Sequence, residues 1–87
     1  MALFPASSMG GVKSDTFSNL STDSTGNVTL YNGTNRVIVG ASDTNGNCYA
    51  IWRDSSRSYG KVYTTLNDVL TVRKNITVSG TYYYLDN

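Results

Sequence analysis

Apolar and polar side chains alternate along this chain in short runs, and clusters of Asn, Gly, Ser and Asp separate the runs. Period-two alternation is the signature of a half-buried strand. From Asn27 to Tyr31 it puts Val28 and Leu30 on one face, Thr29 and Tyr31 on the other. The densest apolar material follows, from Asn35 to Leu66. Arg36 to Ala41 and Cys48 to Arg53 flank Asp43-Thr44-Asn45-Gly46-Asn47, whose Asn-Gly step predicts a hairpin turn. In the first of these runs Val37, Val39 and Ala41 oppose Ile38 and Gly40. In the second, Cys48, Ala50 and Trp52 oppose Tyr49 and Ile51. Both runs are apolar on both parities, as suits strands lying between a core and an interface.

A further strand, Tyr59 to Leu66, turns Val62, Thr64 and Leu66 to the core and Tyr59, Lys61, Tyr63 and Thr65 outward. Asn67-Asp68 reads as a tight turn. Leu70, Val72, Ile76 and Val78 share one parity, so Val69 to Ser79 is one long strand or two closed by a hairpin at Lys74-Asn75. Strands average about 5–6 residues, which favours the hairpin. Thr16 to Leu20 is a short strand anchored by Phe17, and Gly80 marks a bulge in the last strand. The segment 1–15, with Pro5 and the Gly10-Gly11 pair, reads as an N-terminal arm: either Phe4 and Met9 dock on a neighbouring subunit or the arm is a frayed terminus. Residues 16–87 form one β domain. Six to seven short strands, with turns roughly every 8–12 residues, predict an all-β fold: a small antiparallel sandwich or barrel-like, jelly-roll-like domain.

Composition agrees. All six acids are Asp, and the chain lacks Glu, Gln and His. Removing good helix formers while enriching Thr, Ser, Asn, Val and Tyr leaves little to build a helix from. With no His and no Glu, the commonest general acid–base groups are missing, so the chain reads as non-enzymatic, with no catalytic residues and no cofactor. A net charge of +1 without long charge blocks argues against nucleic acid as partner, and no apolar run is long enough for insertion into a membrane. Asp43, Asn45, Asn47 and Asp54 mimic part of a calcium loop, but Cys48 stands where that loop needs Gly, so turn chemistry explains them and no metal is expected. Four Asn-X-Ser/Thr triplets, starting at Asn19, Asn27, Asn32 and Asn75, are coincidence in so Asn- and Thr-rich a chain. The single Cys48 allows no disulfide within the chain, and its apolar neighbours suggest a buried thiol.

Seven Tyr and one Trp change the picture most. Such rings combine apolar area with a polar handle and suit interfaces and sugar-binding faces. Trp52 reads first as core. Outward-phased Tyr59 and Tyr63, with Arg53 and Arg57 flanking the loop beside them, form the candidate contact surface.

The runs Gly26-Asn27-Val28-Thr29-Leu30, Val37-Ile38-Val39-Gly40-Ala41, Tyr59-Gly60-Lys61-Val62-Tyr63 and Asn75-Ile76-Thr77-Val78-Ser79-Gly80-Thr81-Tyr82-Tyr83-Tyr84-Leu85 are spread along the chain from Thr25 onward. In this order they resemble small β modules of tailed-phage fibres: head fibres, tail fibres and receptor-binding tips. The resemblance implies a virion structural protein, a fibre or a capsid or tail decoration module. It also implies a homo-oligomer, usually a trimer, held to other virion proteins through its N-terminal part and presenting loops to a cell-surface glycan. No repetitive stalk precedes the domain here. The alternative expectation is a carbohydrate-binding or adhesion domain of a bacterial cell-surface protein.

Overall fold

The computed structural model describes residues 11–86. Seven strands make it up: β1 (Lys13–Ser21), β2 (Asn27–Asn32), β3 (Arg36–Asp43), β4 (Cys48–Asp54), β5 (Arg57–Leu66), β6 (Val69–Val72) and β7 (Thr77–Asp86). Every pairing is antiparallel, in the order β1-β7-β3-β4-β5-β2, with β6 paired to β5 beyond the end of β2. The expected all-β, barrel-like fold is therefore what forms. β1 begins at Lys13, inside the segment read as an arm. The rest of that arm up to Gly10, with Phe4 and Met9, lies outside the described residues.

Strands β3 and β4 are joined by one register pair, Ser42 with Cys48, so the sheet folds at that point. β1, β7 and β3 then face β4, β5 and β2 across one core of Phe17, Val28, Leu30, Ile38, Val62, Val78, Tyr82 and Tyr84. The two halves also approach at the β1–β2 side, without a ladder. The β1–β7 pairing itself runs on past the strand ends, where Thr22 N–H donates to Ile76 O at 2.8 Å and Asn75 N–H donates to Asp23 O at 3.2 Å. The barrel is nearly, not fully, closed.

β7 is central to the first half. Its even positions Val78, Tyr82 and Tyr84 are buried, and Gly80 continues their row. A Cβ on Gly80 would clash with Ser42 O, lie 2.6 Å from Asp43 Cα and stand 3.1 Å from the Phe17 ring. The glycine thus allows a close approach of backbones. The expected bulge belongs to the neighbouring strand: β1 carries the extra residue between Phe17 and Leu20, opposite an unbroken β7. Asn19 takes the positive φ there, 53°, and its N–H donates to Ser79 Oγ at 2.9 Å. A second bulge, between Ile38 and Gly40 of β3, changes which parity faces inward and leaves Val39 exposed.

One end of the core is closed by Arg36. Its Nη1 donates to Asp15 Oδ2 at 2.7 Å and to the Tyr82 hydroxyl, and its guanidinium lies 4.4 Å from the Tyr84 ring centroid and 5.0 Å from that of Tyr31. One side chain thereby links β1, β2, β3 and β7. At the other end of β3, the buried Asp43 carboxylate accepts from the N–H groups of Asn45 and Asn47, both at 2.9 Å. It also accepts Asn47 Nδ2 at 2.7 Å and the Tyr49 hydroxyl at 3.3 Å. This is the turn chemistry expected of the hairpin. Burial first, and then the Asp43 carboxylate, raise the Tyr49 pKa above the ordinary tyrosine range.

Several expectations give way to register. Arg73–Ile76 does break the apolar parity, with Asn75 at φ 54°, yet β6 and β7 form no hairpin: β6 pairs with β5, and β7 with β1 and β3. Leu66 was assigned to the core. It is instead exposed at the tip of the β5–β6 hairpin with Val69 and Leu70, around Asn67-Asp68, both at positive φ. In β4 the inward parity is Tyr49, Ile51 and Arg53, which turns Cys48 and Trp52 to the surface. The expected buried thiol is therefore exposed. The inner face of β5 explains the choice. Ser58 and Gly60 are small there, and a Cβ on Gly60 would come 2.8 Å from Tyr49 Cδ2, so the large side chains of the β4 inner row take that space.

Two measurements check this packing. Gly80→Ala should lose about 3 kcal/mol in urea unfolding, because the methyl meets backbone that cannot move without shifting a strand. Gly46→Ala, at φ 81° with open space around it, should lose only about 1 kcal/mol. A smaller loss at Gly80 than at Gly46 would contradict the close approach. Separately, Cys48 should label to completion with a thiol reagent in the native protein, without denaturant. Protection until unfolding would place it back in the core.

Candidate functional site

The two-residue turn at Ser55-Ser56, with Ser55 at φ 56°, sets the β4–β5 register so that Asp54 faces Arg57 and Trp52 faces Tyr59. Ser58 is fully buried, so its neighbours in β5 point outward. Across the other edge of β5, Tyr59 faces Thr29 of β2. Thr29, Tyr59 and Trp52 thus form one row across three strands on the outer face. The two rings stack, with centroids 5.3 Å apart and planes 20° from parallel. Cross-strand aromatic pairs of this kind contribute roughly 0.5–1.5 kcal/mol beyond area burial. Trp52 nonetheless remains 39% exposed.

Beside this row lies a cleft of about 280 Å³, lined by Asp23, Asn27, Val28, Thr29, Trp52, Asp54 and Tyr59. Its charged groups are both carboxylates, Asp23 and Asp54. Asp23 Oδ1 accepts the Thr25 hydroxyl at 2.6 Å, the Thr25 N–H at 2.7 Å and the Asn27 N–H at 3.0 Å. These bonds, the Thr25 hydroxyl foremost, hold the Asp23 carboxyl below the usual carboxylate range. The loop thus presents an ionised group whose second oxygen has no donor among the described residues. Asn27 Oδ1 is buried without a partner, a deficit that costs on the order of 1–3 kcal/mol when unrelieved.

The expected contact residues separate. Tyr59 lines the cleft. Arg57, Tyr59 and Tyr63 occupy the same outward parity of β5, with Arg57 Nε donating to Asn32 Oδ1 at 3.3 Å. Tyr63 sits further along, between Cys48 of β4 and Val72 of β6, and does not line the cleft. Arg53 turns the other way: it shares the inward parity of Tyr49 and Ile51, and its Nη2 donates to Thr34 O at 2.6 Å. Trp52, first read as core, joins Tyr59 outside instead. Asp23, Asn27, Thr29 and Asp54 come to the cleft only through strand pairing, which local pattern does not reveal. The small inward residues Ser58 and Gly60 were the available signal that large β4 side chains pack inside on the other parity. Among the described residues, no group of three or more His, Cys, Asp or Glu is placed to hold a metal ion.

Compared with known proteins, the chain matches no family model, no curated protein and no solved structure.

The depressed carboxyl of Asp23 predicts an acid dependence. Its folded pKa lies below the ordinary 3.8, so its stabilisation is present above that value and is lost as pH falls through the depressed pKa. Asp23→Asn should therefore melt below wild type at neutral pH, and the two melting temperatures should converge in acid below 3.8. A gap that stays constant across that range would mean the charge plays no part.

Proposed function

We propose that this chain is a non-enzymatic virion module of the phage-fibre type, a fibre or capsid or tail decoration component. On this reading it assembles with copies of itself and turns the Trp52–Tyr59 face toward a surface glycan. The observation that carries the contact role is the stacked Trp52–Tyr59 pair, with Trp52 exposed, lining a cleft that also holds two carboxylates. Strand alternation turns Trp52 outward, and there it stacks on Tyr59; such aromatic side chains are enriched where proteins meet partners.

Self-assembly has separate support. The outward parity of β3 and β7 carries Val39, Tyr83 and Leu85, all exposed, with Val37 paired beside Leu85. A small monomer gains little from an apolar outer strip, whereas a second copy would cover it. By the resemblance a trimer is the expected assembly. The alternative, a carbohydrate-binding or adhesion domain of a bacterial surface protein, is favoured by the cleft alone and does not use the outer strip.

Sedimentation equilibrium and a glycan array separate the two. The proposal expects a mass that is a multiple of 9.5 kDa, and it expects Leu85→Lys to reduce it to a single chain with unchanged secondary structure. A concentration-independent mass near 9.5 kDa for the unmodified protein would overturn self-assembly, and with glycan binding it would leave the alternative.

A further inference from the structure

We infer that the cleft beside Trp52 and Tyr59 takes a neutral pyranose unit, and that it discriminates against acidic saccharides and organic cations. This deepens the proposed glycan contact and rests on it.

Charge placement carries the inference. Two carboxylates, Asp23 and Asp54, line the cleft, and no basic side chain does. An acidic sugar would bring its own carboxylate beside them, and like charges repel. The counter-charges stand just outside. Arg57 and Lys61 take the same outward parity as Tyr59, two residues to either side of it in β5. Arg57 pairs in register with Asp54, and Lys61 with Asn27. The neighbourhood is therefore balanced, two charges of each sign, and gives neither an acidic saccharide nor an organic cation a net attraction.

What remains is hydroxyl chemistry on an aromatic wall. A neutral pyranose has apolar C–H faces to set against a ring and hydroxyl groups that donate to acceptors. The cleft offers acceptors to such donors: the exposed carboxylates of Asp23 and Asp54, and the buried Asn27 Oδ1, which has no partner among the described residues. Trp52 and Tyr59 both line the cleft, and Trp52 keeps 39% of its surface exposed there. Strand register, not loop conformation, aligns Thr29, Tyr59 and Trp52, so the wall is preformed.

Trp52 is the only Trp in the chain, so its fluorescence reports directly on the cleft. The full chain would be titrated with three probe sets: neutral oligosaccharides of glucose, galactose, mannose and their N-acetyl forms; sialylated and uronic-acid oligosaccharides; and choline. The expected result is a saturable change in Trp52 emission with at least one neutral member and none with the other two sets. Tyr59→Ala should weaken that binding by ~10-fold or more. Should Tyr59→Ala not fold, Asp54→Ala, at an exposed position, is expected to weaken binding while retaining the wild-type circular dichroism spectrum. Saturation by acidic saccharides alone overturns the charge assignment and leaves the glycan reading standing. Saturation by choline alone, or by none of the probes, overturns both. Neutral-sugar binding unaffected by Tyr59→Ala and Asp54→Ala would place the sugar outside this cleft.

Discussion

At Gly80 the backbone of β7 comes so close to Ser42 and Asp43 of β3, and to the Phe17 ring of β1, that a methyl group would not fit between them. Much else depends on this approach. β7 is paired on both sides, and its buried Val78, Tyr82 and Tyr84 supply much of the core from one face of one strand. Because β7 stays regular, its neighbours absorb the mismatch: β1 by the bulge before Leu20, β3 by the bulge before Gly40. The second bulge sends Val39 outward, next to the strip formed by Tyr83 and Leu85. The close packing of the core and the apolar character of the outer face thus have one origin.

The same economy of space acts in the second half of the barrel. Ser58, Gly60 and Val62 line the inner face of β5, and the first two are too small to fill it. Tyr49 and Ile51 of β4 occupy the vacancy, and alternation then forces Cys48, Ala50 and Trp52 outward. The exposed Trp52 is a consequence of what lies beneath it. Its partner Tyr59 follows from a two-residue turn, so the aromatic wall of the cleft is held by backbone pairing at both members.

Charged groups in this protein mostly organise backbone. Asp23 and Asp43 collect N–H groups from their own loops, and Arg36 ties Asp15 to three Tyr rings. The Arg36 bond is also the largest cause of the lowered Asp15 pKa. Asp23 and Asp54 also line the cleft beside the Trp52–Tyr59 pair.

Sequence alone determined the fold class, the strands and most of the turns. Period-two alternation, the Asn45-Gly46 and Asn67-Asp68 turns and the scarcity of helix formers act locally, and the structure keeps them, whereas the Asn32-Gly33 step, which also reads as a hairpin, joins β2 and β3 without pairing them. It determined the inward face where one parity was polar, as in β2 with Val28 and Leu30. Where both parities were apolar, as in β3 and β4, local pattern had no means of choosing, and the tertiary structure decided. The choice came from volume and register: Gly60 opposite Ile51, Gly80 against Asp43, and bulges that switch parity within a strand. The cleft belongs wholly to that second category. Asp23, Asn27, Thr29, Trp52, Asp54 and Tyr59 come from three strands and a loop, and only antiparallel pairing across β2, β5 and β4 brings them to one place.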